Sequence, residues 1–514
     1  MAKFDGITTF HDGLAVSDYV NMIPLGDTCI DRIGEVLVSG DVESDQEIRG
    51  WFVDSTKRLY VVVSDTIQTY TFDNGVYNYE GPLKGIVGGV LQESFVLLNH
   101  NDKVTFTESS IKPSTIYCCD GKYIYKWATG LYDDMRVTMM LSPKVIPSMG
   151  YETNARSADQ YSAIIGGQDA NVLDLRDIAS IDSIDWFDNK LVAVEKTKNT
   201  VWLTCTDPEQ YSRNTSLDPW ANNGESYELW NNWYASTNSA DKLNTAKAFN
   251  GQLYLLNSTS IEIWSRTGNE SAPLQSNTMQ VIHHGARAPL VLGDFMYVIA
   301  NDTVGQEYIG LIQGGSFKRI STLEIDNRLK DPKDIVPLSI RGETHVMVRV
   351  GSGLDGFVFS EGRWWRWVHP SEDNDGVIAS IVLDYAITQH GRVVEFNDDT
   401  RKTYLGTEIQ RYIRDSFDTW HERKLFRKVA ISLDSGRVTD ITNIEDLQRQ
   451  IYIRLSTNRG LSFGKYYYRM LGKSGVNNKV VEWLGLGSGN SMLLEIGTSS
   501  AYKLQIYDIK IVVQ

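Results

Sequence analysis

Short apolar-rich runs alternate along this chain with clusters of Gly, Asn and Asp. In 66–72 (TIQTYTF) β-branched and aromatic residues are dense and helix formers few, which predicts a strand. Ile451, Ile453 and Leu455 alternate with Tyr452, Arg454 and Ser456, the period of a strand with one buried face. Near the C-terminus Leu504 and Ile506 hold one phase and Ile509 and Ile511 the other. One extra residue around Tyr507-Asp508, a β-bulge, accounts for the slip.

The runs recur as units. Asp188-Asn189 precedes LVAV, Asn250-Gly251 precedes LYLL, and Gly293, Gly342 and Gly391 precede FMYVIA, HVMVRV and VVEF. From Asn189 to Gly391 these turns lie 62, 42, 49 and 49 residues apart. A period of 40–50 residues with about four short strands per unit is that of a β-propeller blade. The first spacing is long because a polar, aromatic insertion occupies about 206–245. Strand clusters at 55–83 and 91–127 supply further blades. The units share a pattern rather than residues, so the reading is an irregular propeller.

Helices are few. Ser321-Thr322-Leu323-Glu324 has the form of a capping box, and Leu323, Ile325 and Leu329 follow at near-helical spacing, predicting a helix over about 322–330 that stops before Pro332. From about 406 a charged stretch leads into a second strand-rich block. The expectation is therefore an all-β chain: 1–50 an N-terminal arm or first strands, 51–405 the propeller, and 406–514 a C-terminal β-sandwich-like domain.

Charge narrows the partners. Fifty Lys and Arg against 65 Asp and Glu leave a net charge of −15, the wrong sign for a general nucleic-acid binder. No apolar run is long enough for a membrane-spanning helix, and the N-terminus has no signal-peptide pattern, so synthesis and folding in a cytoplasm are expected. Cys29, Cys118, Cys119 and Cys205 do not form a disulfide framework. Cys118 and Cys119 point to opposite faces if their strand is regular.

Candidate chemistry is sparse. Gly351, Gly353 and Gly356 match G-x-G-x-x-G, but a strand follows where a phosphate-cradling helix is required, so they read as a hairpin turn. His283-His284 lack metal-ligand spacing, and Asp373, Asp375 and Asp398-Asp399 read as solvated loop acids. No cofactor or metal is expected. Trp220, Tyr227, Trp230, Trp233 and Tyr234, in the polar insertion, are candidate partner or intersubunit contacts; the bland alternative is that they fold back over a blade. Trp364, Trp365 and Trp367 sit within a strand and read as packing. The segment 456–463 (STNRGLSF) resembles the Asp box of sialidases, with Asn458 in place of the acid; Ser456, Asn458, Gly460 and Phe463 carry the likeness. In that family the motif is a structural turn. A β-propeller that binds or cleaves glycans is the alternative reading, although no motif supplies the paired carboxylates that glycosidase chemistry needs.

Three stretches together resemble the tail hub (nozzle) proteins of short-tailed bacteriophages, also called packaged-DNA stabilisation proteins. They are 181–193 (IDSIDWFDNKLVA) with the strand 201–204, 246–254 (AKAFNGQLY) with 258–265 (STSIEIWS), and Gly285-Ala286 with Ile320-Ser321-Thr322. The likeness covers about 181–330 and, more weakly, 390–514. It implies a non-enzymatic, hexameric ring at the end of the virion tail. Such a ring continues the DNA channel below the adaptor ring, anchors tailspikes or fibres, and meets the needle or plug that retains the genome. Double-stranded DNA would pass through without specific binding, and an acidic wall suits that passage.

Overall fold

The computed structural model describes the chain from Ile7 to Gln514 apart from connecting stretches, the longest of which are 9–17, 39–47, 130–136, 152–179, 209–229 and 436–448. Two compact units emerge: Ser39–Ser321, and Met1–Val38 together with Thr322–Gln514. The division differs from the boundaries at 50 and 405 read from the sequence.

The first unit is a succession of four-stranded antiparallel meanders, spanning 48–82, 105–140, 183–235, 243–276 and 285–319. These are blades 1 to 5. The second strands of blades 1, 2 and 3, Leu59–Val63, Thr115–Cys119 and Lys190–Glu195, are buried at every position, as blade 2, packed between blades 1 and 3, illustrates. Alternation within one strand then feeds two separate cores. Cys118 packs with Tyr60, Val62 and Trp127 between blades 1 and 2, while Cys119 packs with Ile184, Leu191 and Trp202 between blades 2 and 3.

The anchor turns do what their residues allow. Asp188 and Asn189 have φ of 50° and 59°, and Asn250 and Gly251 have 48° and 72°, the left-handed pair of a type I′ hairpin. Both join the first two strands of a blade. Polar side chains then fasten blade to blade. Asp185 of blade 3 accepts from the Ala248 amide at 2.6 Å and from Lys247 Nζ at 2.9 Å in blade 4. Asn244 of blade 4 donates to the Ala286 carbonyl of blade 5 at 2.9 Å. At Gly285 a Cβ would lie 1.9 Å from the Ser258 carbonyl oxygen, so only glycine permits this approach.

In the second unit, strands Pro332–Ile340, Glu343–Val350, Asp355–Ser360 and Arg363–Val368 form a sixth meander. A seventh has only three strands from its own stretch (Val377–Ser380, Tyr385–Thr388 and Val393–Asn397) and takes its fourth, Gly34–Leu37, from the N-terminal region. Gly391 therefore turns between the second and third strands, not the first and second. The C-terminal block is not separate from these strands. Asp18–Val20 pairs with both Arg363–Val368 and Arg411–Asp418, merging the sixth meander and part of the block into one nine-stranded sheet. A second sheet joins Lys424–Ser435, Val476–Leu484 and Leu504–Val513 to Ile7–Thr8, Met22–Leu25 and Thr28–Asp31. The bulge lies where the phase slip placed it: Ile506 faces Leu433 and Asp508 faces Ser432, leaving Tyr507 over.

The helix is shorter than expected, Leu323–Arg328, and its cap is Thr322, whose hydroxyl accepts from the Ile325 amide at 3.4 Å. The capping box starting at Ser321 does not form. Ser321 Oγ accepts instead from the Ile309 amide, and Glu324 pairs with Arg328 one turn on. Leu323, the first helical residue, is 65% exposed.

Candidate interaction site

The C-terminal part of the nine-stranded sheet carries a layered cluster of arginines and aromatic rings. Strands Arg411–Asp418, Ser491–Thr498 and Gln450–Ser456 lie side by side, and their register sets Arg414, Glu495 and Arg454 in one row. Glu495 has no exposed side-chain surface. It accepts from Arg454 Nε at 2.5 Å and Nη2 at 2.7 Å, from Arg414 Nε at 2.7 Å, and from the Tyr452 hydroxyl at 3.2 Å. A buried carboxylate is tolerable only with such partners, and here two guanidiniums are held by one acid. The Tyr452 hydroxyl is pushed to a higher pKa by burial and by the adjacent Glu495 charge.

The rings stack on the arginines in sequence. Arg414 lies 4.6 Å from the Tyr412 ring and 5.1 Å from Phe463; Arg454 lies 4.5 Å from Phe463 and 5.0 Å from Tyr466. Tyr466 then stacks on Tyr468 at 5.8 Å. Planar guanidiniums over aromatic faces gain from the ring quadrupole while their edges bind carboxylate. The ladder ends in exposed surface: Tyr466, Tyr467, Tyr468 and Met470 all stand out of the protein.

The residues singled out from the sequence are distributed as follows. Ser456 is buried at the end of its strand, and Phe463 is the central ring of the ladder. Asn458 and Gly460 lie outside the described residues. The connection does fold back on its hairpin, since the Gly464 amide donates to the Leu455 carbonyl at 2.8 Å. Of the insertion's aromatics, Trp220 and Tyr227 lie outside the described residues. Trp230, Trp233 and Tyr234 are not in a loop: Trp230–Ala235 is the fourth strand of blade 3. Tyr234 packs edge-on against Trp264 at 5.3 Å, and its oxygen accepts from the Leu274 amide. Trp364, Trp365 and Trp367 lie in Arg363–Val368, with the last two fully buried. Sequence reasoning missed Arg414, Arg454 and Glu495. The available signal was one acid within the apolar run Met492-Leu493-Leu494-Glu495-Ile496.

Asp398, read as a solvated loop acid, is 43% exposed and gathers a second cluster of cations. It accepts from Arg341 Nη2 at 2.7 Å, Arg401 Nη2 at 3.0 Å and Lys503 Nζ at 2.6 Å. Partial burial alone would raise its pKa, but the cations prevail and hold it down at about 2. The buried acids of the family-like stretches also have partners within the fold. Glu262 accepts from Trp264 Nε1 at 3.0 Å, and Asp241 from Ser258, Thr259 and Ser260. Among the described residues no group of three or more His, Cys, Asp or Glu is placed to hold a metal.

Consecutive antiparallel four-stranded blades, each sandwiched by the next, make the chain an all-β propeller protein. Residues 177–341 match the family model described as Bacteriophage P22 Gp10, beta-propeller. No curated protein matches the chain. Solved structures with a similar course include the Cps50 (Swd1) β-propeller domain of Myceliophteria thermophila, 9% identical with a TM-score of 0.41 over 71% of this chain and 99% of that one. The Pan2 WD40 domain of Neurospora crassa is 8% identical with a TM-score of 0.37 over 73% and 99%.

Proposed function

We propose that this chain is a subunit of a tail hub, or nozzle. Six copies form a ring that continues the DNA channel below the portal's adaptor ring, helps to retain packaged DNA by meeting a needle or plug protein, and provides attachment for tailspikes or fibres. Subunits assemble in the cytoplasm of the host bacterium. The family match over 177–341 carries this reading. The buried acids Glu262, Asp241 and Glu495 are each engaged by partners within the fold, which is consistent with a structural role. The net charge of −15 is compatible with a channel through which DNA slides, since each fixed phosphate contact would act as an anchor.

Electron microscopy of the purified protein, alone and with the adaptor, tests the proposal. Rings that stack coaxially on the adaptor are expected. A monomer that binds no adaptor and cleaves a surface polysaccharide would replace this reading with the glycan-directed one. A strongly positive lumen would overturn the account of the acidity.

A further inference from the structure

Residues 449–484 contain seven Lys or Arg and a single acid, Glu482, so this segment carries +6 within a chain of −15, and the remainder carries −21. Apolar exposure is concentrated in the same place. Of the fifteen large hydrophobic side chains exposed among the described residues, seven lie between 425 and 484. They are Leu425, Tyr466–Tyr468, Met470, Val480 and Leu484, the last 70% exposed. Leu425 and Leu484 also line an open apolar groove of about 480 Å³, together with Val512 and Arg427. Monomeric proteins rarely gather exposed apolar side chains in this way without a partner.

The patch is built for side-chain docking rather than for strand addition. Tyr467–Met470 ends its sheet among the described residues, but the carbonyls along it are already occupied. Trp483 Nε1 donates to Tyr467 at 2.9 Å, Arg469 Nη1 to Tyr468 at 3.2 Å, and Lys479 Nζ to Met470 at 3.4 Å and to Leu471. A capped edge does not template another strand. The ladder behind it holds Tyr466 and Tyr468 in place, so little side-chain freedom is lost when they are covered.

We infer that this patch is the face by which one copy of the chain seats against an acidic face of the next, head to tail. Leu425, Met470, Val480 and Leu484 suit a protein partner better than a phosphate backbone, and two of the nearby arginines, Arg414 and Arg454, are already engaged by the one Glu495 carboxylate. Of the segment's cations Arg459 and Lys473 lie outside the described residues, Arg449 is buried and Arg454 is held by Glu495. Lys465 and Arg469 are exposed, and symmetric pairing of two such patches would set these like charges together. A head-to-tail contact sets these exposed cations against a surface drawn from the acidic remainder of the chain, and contacts of that kind close into rings when the rotation allows. The inference rests on the ring reading above and adds the surface that makes the ring.

Analytical ultracentrifugation of the full chain over a range of concentration and salt decides the matter. Three proteins are compared: wild type, Tyr468→Ser/Leu484→Ser, and Lys465→Glu. Wild type should form a species of more than two copies, weakened as salt rises. Both variants should require at least tenfold more protein to associate, with melting temperatures unchanged because these side chains are exposed. Variants that associate like wild type would overturn the patch and leave the ring reading standing. A wild type that stays monomeric under all conditions would overturn both, and a stable two-copy species would overturn the head-to-tail geometry. If the double variant instead lost binding to a fluorescent DNA duplex while still associating normally, the patch would be a nucleic-acid surface and the inference would fail.

Discussion

The Asp31 carboxylate accepts a hydrogen bond from Arg401 Nε at 2.7 Å, across 370 residues of sequence. Neither side chain has appreciable exposure. Asp31 also accepts from Arg411 Nη1 at 2.5 Å and from the Leu504 amide at 3.0 Å, so one buried acid ties an N-terminal strand to three later parts of the chain. Burial lowers the pKa of the Arg411 guanidinium, and Asp31 acts in the opposite sense.

Asp31→Ala should therefore be severely destabilising. It leaves two buried guanidiniums without their acid, a loss of about 3–5 kcal/mol for breaking a buried pair from one side. Thermal unfolding checks it: the transition involving the C-terminal sheets should move down markedly. Lys333→Ala, which removes an exposed pair with Asp331, should change it by no more than about 0.5 kcal/mol.

Gly285→Ala tests the close approach of blades 4 and 5. Its methyl would meet backbone at 1.9 Å, so urea unfolding should show a loss of about 1–3 kcal/mol or more. Gly251→Ala meets no atom within 4 Å but has φ of +72°, and should cost about 1 kcal/mol. A larger effect at Gly251 would contradict the packing argument.

Asp398 predicts a specific acid limb. Its folded pKa is near 2, below the ordinary 3.8. The stability it contributes is complete above about pH 4 and is lost as the pH falls through 2. Asp398→Asn should lower stability at pH 7 and flatten its dependence on pH between 4 and 2. Because the side chain is 43% exposed, added salt should reduce the difference.

The thiols should be sharply ranked. Burial pushes the Cys29, Cys118 and Cys119 thiols well above the usual range, and Cys205 is only half-buried. A thiol reagent at pH 8 should modify Cys205 first in the native protein and all four residues after denaturation. Rapid native modification of Cys118 would show that blades 1 and 2 open locally.

Much of this fold was legible as local pattern. The I′ turns at Asp188-Asn189 and Asn250-Gly251 need left-handed backbone that those residues accept, and the slip at Tyr507 left its trace in the hydrophobic phase. The opposite burial of Cys118 and Cys119 followed from strand period alone. The helix cap was displaced by one residue because the Ile309 amide claimed Ser321. Trp230–Ala235 was read as loop because Asn231 and Asn232 break the apolar alternation, yet pairing with Thr200–Thr204 made it a strand.

What the sequence determined by itself was therefore the all-β class, the blade period and the turns, since each depends on backbone preferences and side-chain alternation over a few residues. It also held the charge asymmetry, which is a matter of counting. Tertiary structure alone decided that Gly34–Leu37 completes the seventh meander, that Asp31 gathers Arg401 and Arg411, and that Phe463 lies between Arg414 and Arg454. These relations join residues tens to hundreds of positions apart. A carboxylate's partner is set by which strands pair and in what register, and no local pattern of residues encodes that.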